Sequence, residues 1–341
     1  MYLRALLLLA LPFATAVWHV YTLIFVLNAA TAFFSPTYEA SIPTVVGKRH
    51  VVQALSLSRV AVDVEAVAAP VAAGVIVAVV GARWVFWFDS ATYLLSACLV
   101  LCVTIPRAAA QSVPLSFRAF AAEITYGTRL ILREASLRLA ILLSFSEALA
   151  GAAVIVGTAA YVQQVLVLGE VQVAVAMGAV GVGSSLAAVI LSRATGRHEM
   201  GARGRARLHQ KRHEWSHRAL LLGAFGLGLA LVPCALTPPL AGLVVLWALN
   251  GAGQALIAIP SSTLLAEHSS EKNRGRIYAA HFALTHVFWL ATYPAVGHAA
   301  SRWGTARTFT GAGAVCLAVA LVATSFPRVS QRHDHRPTDP S

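Results

Sequence analysis

The stretch SLSRVAVDVEAVAAP, Ser56 to Pro70, sets Arg59, Asp63 and Glu65 inside a run made largely of Val, Ala and Leu. Whether those charges mark a soluble helix or an unusual membrane helix depends on the rest of the chain. Of its 341 residues 58% are hydrophobic and only 12% charged, and the mean hydropathy is +0.71, where soluble domains carry about 25% charged residues. The chain is therefore read as an all-α, polytopic membrane protein, since a helix satisfies its own backbone hydrogen bonds in lipid.

A hydrocarbon core about 30 Å thick needs roughly 20 apolar residues per helix. Nine runs of that length are expected near 17–38, 55–80, 83–105, 138–163, 171–193, 218–237, 239–264, 277–300 and 305–326. A tenth, LRALLLLALPFATA (Leu3 to Ala16), is short; it has the length of a signal peptide, but no polar segment follows it, so it is read as a truncated span. Alternate loops hold most of the basic residues: Lys48 and Arg49; Arg107, Arg118, Arg129 and Arg133; the cluster from Arg193 to Arg218; Lys272, Arg274 and Arg276; and Arg328, Arg332 and Arg336. By the positive-inside rule both termini are expected in the cytoplasm, the chain threading the inner (cytoplasmic) membrane. The net charge of +12 then faces anionic lipid headgroups. The Arg193–Arg218 run lacks the aromatic interleaving of a nucleic-acid arm, so no nucleic-acid partner is expected.

The chain also repeats itself. Pro36 and Pro260, Pro70 and Pro294, and Lys48 and Lys272 are each 224 positions apart. In each copy a span ends around a Ser/Pro turn (FFSPTYEASIP and AIPSSTLLAEH), a basic loop follows, and the next span carries polar residues before its proline. Six spans follow the linker and four precede it. The first copy is thus expected to lack an N-terminal hairpin of roughly 80 to 90 residues. The expected organisation is an incomplete N-terminal bundle (1–105), a cytoplasmic linker with an amphipathic stretch at Phe117–Leu132 (106–137), a C-terminal six-helix bundle (138–326) and a disordered cytoplasmic tail (327–341).

Two helical sets joined by such a linker resemble the major facilitator superfamily over essentially the whole chain, with about 10 of its 12 helices. ALSLSRVAVDVEAVAAPVAAG (Ala54 to Gly74) and RGRIYAAHFALTHVFWLATYP (Arg274 to Pro294) resemble a bacterial exporter branch that includes nickel-resistance proteins. The resemblance implies a secondary active transporter, an exporter exchanging a small molecule or metal ion for protons by alternating access, working as a monomer without cofactors. In such exporters a Gly-Pro followed by Gly-Gly marks the fifth helix. Here Pro70 and Gly74 fit that antiporter motif, while Ala69 and Ala73 replace glycines. The alternative is a truncated or decayed, non-transporting membrane fragment. An enzyme is not expected, for no HExxH, GxSxG or paired catalytic acids occur in a plausible setting.

An ionised side chain at mid-bilayer costs at least about 2.5 to 3.5 kcal/mol, so it faces a cavity or a partner. Arg59 and Asp63, four apart, share a helix face and can pair. Glu65 lies about 200° around the helix from Asp63 and must find something else. Asp63, Glu65 and Glu147 are the proton-coupling candidates, with Arg59 as ion-pair candidate. The cavity-lining candidates are Asn250 and Gln254, four apart, and Tyr278, His281 and His286. Tyr278, His281, Thr285 and Trp289 follow one helix face, and His286 points elsewhere. Gly178, Gly181, Gly183 and Ser184 suit close helix packing better than phosphate binding. Cys98, Cys102, Cys234 and Cys316 lack metal-site spacing. His333 and His335 in the tail are metal-binding candidates.

Overall fold

The computed structural model describes residues 2–47, 50–102, 117–196, 205–271 and 273–326. Eleven α-helices run through them: α1 (Tyr2–Ala10), α2 (Val17–Val46), α3 (Val51–Val80), α4 (Ala82–Leu101), α5 (Phe117–Arg133), α6 (Ala135–Ala160), α7 (Glu170–Gly196), α8 (Arg205–Leu231), α9 (Leu240–His268), α10 (Arg274–Trp303) and α11 (Thr305–Thr324). A π-helical turn, Tyr161–Val165, extends α6. No strand occurs among the described residues. Seven helices are long and apolar enough to cross a membrane. Of the remaining long helices, α3 and α10 have 30 residues each. α3 carries Arg59, Asp63 and Glu65, and α10 carries Arg274, Arg276, His281, His286, His298 and Arg302.

The duplication is visible in the elements. Helices α2, α3 and α4 correspond to α9, α10 and α11 with starts shifted by 223 positions, within one residue of the shift between the prolines. Gly81 and Gly304 occupy equivalent single-residue turns with φ of 95° and 84°, a backbone that glycine adopts without steric cost.

One sequence expectation is corrected here. The segments around FFSPTYEASIP and AIPSSTLLAEH are not turns that end a span: α2 continues through Pro36 and Pro43 to Val46, and α9 through Pro260 to His268. Proline removes one helical hydrogen bond, but packed neighbours in a membrane bundle let the helix continue past it.

Helices α1 to α4 form one group, in which α1 packs on α4 and α2. Arg4 on α1 is buried, donates to the Ala30 carbonyl at 3.3 Å and lies over the Phe34 ring at 4.7 Å. Helices α6 to α11 form the second group around a larger core. There Trp247 Nε1 donates to Thr158 Oγ1 at 2.8 Å, and the Trp247 ring meets Phe309 edge-on at 5.2 Å. The amphipathic α5 is seated on α10. Any Cβ at Gly127 would lie 2.5 Å from the Arg276 carbonyl, and the Arg276 guanidinium lies 5.4 Å from the Tyr126 ring centre.

The two ends of the molecule differ. The turns before α3, α6 and α10 lie at a basic end. At the opposite end the exposed aromatics Trp18, Tyr21, Trp84, Trp87 and Trp303 cluster near helix termini, as in an interfacial belt.

Helices α7 and α9 cross so closely that a Cβ at Gly183 would strike the Ala248 carbonyl, and one at Gly251 the Val180 carbonyl. Gly178, by contrast, faces open space. Gly251→Leu should therefore destabilise the protein by about 1–3 kcal/mol or more through overpacking, whereas Gly178→Ala should be neutral or mildly stabilising. Thermal unfolding followed by fluorescence-detected size exclusion in detergent reads the difference, and equal midpoints for the two variants would refute the close crossing.

Candidate functional site

The halves meet chiefly where α3 packs on α7, with further contacts of α3 on α9 and of α2 on α10. At the basic end the joint is apolar. Ile42, Val51, Val52 and Leu55 from the first half pack with Ala187, Ala188, Leu191, Ala255, Ile259 and Ala266 from the second. Between membrane helices such side chains hold by close packing rather than by removal from water.

Polar contacts overlie that apolar plug. Arg59 Nε lies 3.3 Å from Asp63 Oδ1 one turn along α3 and donates to Ser184 Oγ on α7 at 2.7 Å. Ser185 Oγ in turn donates to Asp63 Oδ2 at 3.2 Å. An ion pair inside one half is thus stitched to two consecutive serines of the other. Their spacing is natural for α7, because Ser184 and Ser185 are adjacent and Arg59 and Asp63 are one turn apart. At the start of α10, buried Arg274 donates from Nη1 to Thr44 Oγ1 of α2 and from Nε to Ser269 Oγ at 3.3 Å. Both stitches lie toward the basic end, so the halves are closed there.

Glu147, half-buried near the middle of α6, lies within electrostatic reach of Arg59 and of Glu39, both in the first half. Glu39 on α2 is also within reach of Tyr278, and its neighbour Ala40 packs against the core of the second half. Tyr278 is buried and its hydroxyl donates to the Ser262 carbonyl of α9 at 3.2 Å. Trp289, three turns further along the same face of α10, presses its indole against Gly151 of α6, where any Cβ would collide with it. Thr292 Oγ1 then donates to the Ala148 carbonyl at 3.3 Å.

The remaining candidates fall elsewhere. Glu65 lies on an exposed flank of α3. Asn250 is fully enclosed; Gln254 Nε2 donates to its Oδ1 at 2.8 Å, and its Nδ2 is buried without a hydrogen-bond partner. His281 Nε2 is likewise buried without one. His286 is exposed, with its ring stacked on Phe282 at 3.6 Å and Nδ1 against the Phe282 carbonyl at 2.8 Å. The side chain of Pro70, the surroundings of Gly74, and all of His333 and His335 lie outside what is described. Among the described residues no group of three or more His, Cys, Asp or Glu could hold a metal ion. Sequence reasoning missed Glu39, Thr44 and Arg274 as site residues. Glu39 had been read into a turn, and the signal that could have found it was the equivalence of its segment with the uninterrupted apolar run of α9.

A two-group helical membrane protein closed at one end around intramembrane charge is built as a transporter. The chain belongs to the transmembrane secretion effector family of the major facilitator superfamily, whose family model matches residues 3–340, and it is accordingly a multi-pass membrane transporter. Among solved structures it is similar to a bacterial homologue of the iron transporter ferroportin, crystallised in an outward-facing state. The TM-score is 0.59 and the identity 16%, over 94% of this chain and 79% of that one. No curated protein matches the chain in sequence at a significant level.

Removing one partner of the stitched pair leaves the other charge partly buried and uncompensated. Asp63→Ala should therefore cost about 1–3 kcal/mol. The Arg59→Ala, Asp63→Ala double variant should cost less than the sum of the single ones, read as thermal midpoints in a double-mutant cycle. Strict additivity would show that the pair contributes nothing.

Proposed function

We propose that the protein is a proton-coupled exporter of a small molecule, working by rocking its two halves about the acid-bearing centre. The observation that carries this reading is Glu147, a mid-span carboxylate of the second half within reach of Arg59 and Glu39 of the first. Ionised, Glu147 attracts Arg59 across the joint and favours closure at the basic end. Protonated, it loses that attraction and frees the basic end to open. A group whose charge state biases which side is open is what proton coupling requires.

The roles then divide among the acids. Asp63 has both carboxylate oxygens engaged, by Arg59 and by Ser185, and acts as part of the clamp. Glu147 is the coupling group, and Glu65 on its exposed flank is a secondary candidate. The basic end faces the cytoplasm, with both termini on that side of the inner membrane, so the conformation described here opens outward.

Substrate-independent tests suffice. Spin labels at His50 and Arg193, both exposed and on opposite halves at the basic end, report the opening in a cysteine-free background by double electron–electron resonance. The distance distribution should shift to longer values at pH 5 than at pH 8, and Glu147→Gln should show the long distances at both. A wild-type distribution unchanged with pH would sink the coupling mechanism. A fluorescent protein fused to the C-terminus should fold and fluoresce while an alkaline phosphatase fusion stays inactive; the reverse pattern would invert the topology.

A further inference from the structure

The two guanidiniums that cross the joint are arranged alike, although they come from opposite halves. Arg59, on α3 of the first half, ends on Ser184 of α7; Arg274, at the start of α10 in the second half, ends on Thr44 of α2. Helices α3 and α10 are equivalent in the duplication, so each half sends a cation from the same kind of helix into the other. One crossing lies where α3 packs on α7, the second where α2 packs on α10.

Each cation also keeps a partner in its own half. Asp63 Oδ1 lies 3.3 Å from Arg59 Nε one turn along α3, and Arg274 Nε donates to Ser269 Oγ at 3.3 Å within the second half. What meets the cation from across the joint is a hydroxyl in both cases, Ser184 Oγ at 2.7 Å and Thr44 Oγ1. Ser185 Oγ, donating to Asp63 Oδ2 at 3.2 Å, follows the same rule with the signs reversed. There too the ion belongs to one half and the neutral group to the other.

This division governs what happens on parting. Separating a buried guanidinium from a buried carboxylate strands a charge on each side. Giving up a hydroxyl leaves Arg59 and Asp63 still paired, and the neutral group left behind is satisfied by water entering the opening. A hydrogen bond to an ion is nevertheless stronger and more directional than the small aliphatic packing beside it. We propose that Ser184 and Thr44 are the release points of the basic end: neutral acceptors on opposite halves, each holding a cation whose own-half partner travels with it. The proposal requires the halves to part, but neither Glu147 nor a protonation step, and so goes beyond the coupling scheme.

The test is double electron–electron resonance on the full chain in lipid nanodiscs, with labels at His50 and Arg193 in a cysteine-free background, held at pH 8 throughout. Ser184→Ala and Thr44→Val should each raise the ratio of long to short distances about tenfold, the effect of losing a hydrogen bond to a charged group. Thr44→Asp added to Ser184→Ala should bring the short distance back, because an ion pair to Arg274 replaces a hydroxyl contact. Thr31→Val, whose hydroxyl donates to the Leu27 carbonyl of its own helix at 2.9 Å, should match wild type. With Arg59 and Asp63 both replaced by Ala, Ser184→Ala should add nothing, whereas a merely structural Ser184 would keep its effect. Unchanged distances in both hydroxyl variants would overturn the proposal, as would a Ser184→Ala effect that survives loss of the pair, or a lengthening caused by Thr44→Asp. A wild type that ignores pH while these results hold fails as a coupled exporter and leaves the release points standing. A wild type that opens with pH but is indifferent to both hydroxyls does the reverse.

Discussion

The joint between the halves depends on how Arg59 is shared. Its guanidinium is held by Asp63 on its own helix and by Ser184 on the opposing one, so a charge that would be intolerable in lipid becomes the fastening between two otherwise apolar surfaces. Around it the packing is made of small aliphatic groups, which attract without direction and can slide. The polar stitches set the register that the apolar contacts alone leave loose. They also explain why α3 keeps its charges: without them the closed end would be held by contacts that could come apart in many ways.

The same logic places the acids. Glu147 stands near the stitched layer, where Arg59 still acts on it but is already held by Asp63 and Ser184. Under the proposed mechanism its protonation state is tied to the separation of the halves, since moving them apart removes the cation, and such coupling needs no relay of residues, only one charge on each side of the joint.

Much of this architecture was legible from residue pattern. Seven of the nine expected full-length spans followed from apolar length, and the pairing of α2, α3 and α4 with α9, α10 and α11 from three matched positions. The Arg59 and Asp63 face followed from a spacing of four. What was not legible had a physical cause in each case. Glu39 was hidden because prolines at 36 and 43 read as a turn, yet a helix packed on its neighbours tolerates the lost hydrogen bonds. Ser184 and Arg274 acquire their roles from the opposite half, and sequence periodicity carries no information about which helix lies across a joint. Asn250 looked like a wall residue, but its face is set by the close crossing of α7 and α9, which glycines at 183 and 251 permit.

The single-glycine turns at 81 and 304 bear on how such a protein could move. A connection of one residue leaves no slack between helix ends, so α3 stays joined to α4, and α10 to α11, at the aromatic end whatever happens at the basic end. Beyond that link α3 packs mainly on α7 and α10 mainly on α6, so each connection ties an outer helix, α4 or α11, to one that is already held by a neighbour of the second half.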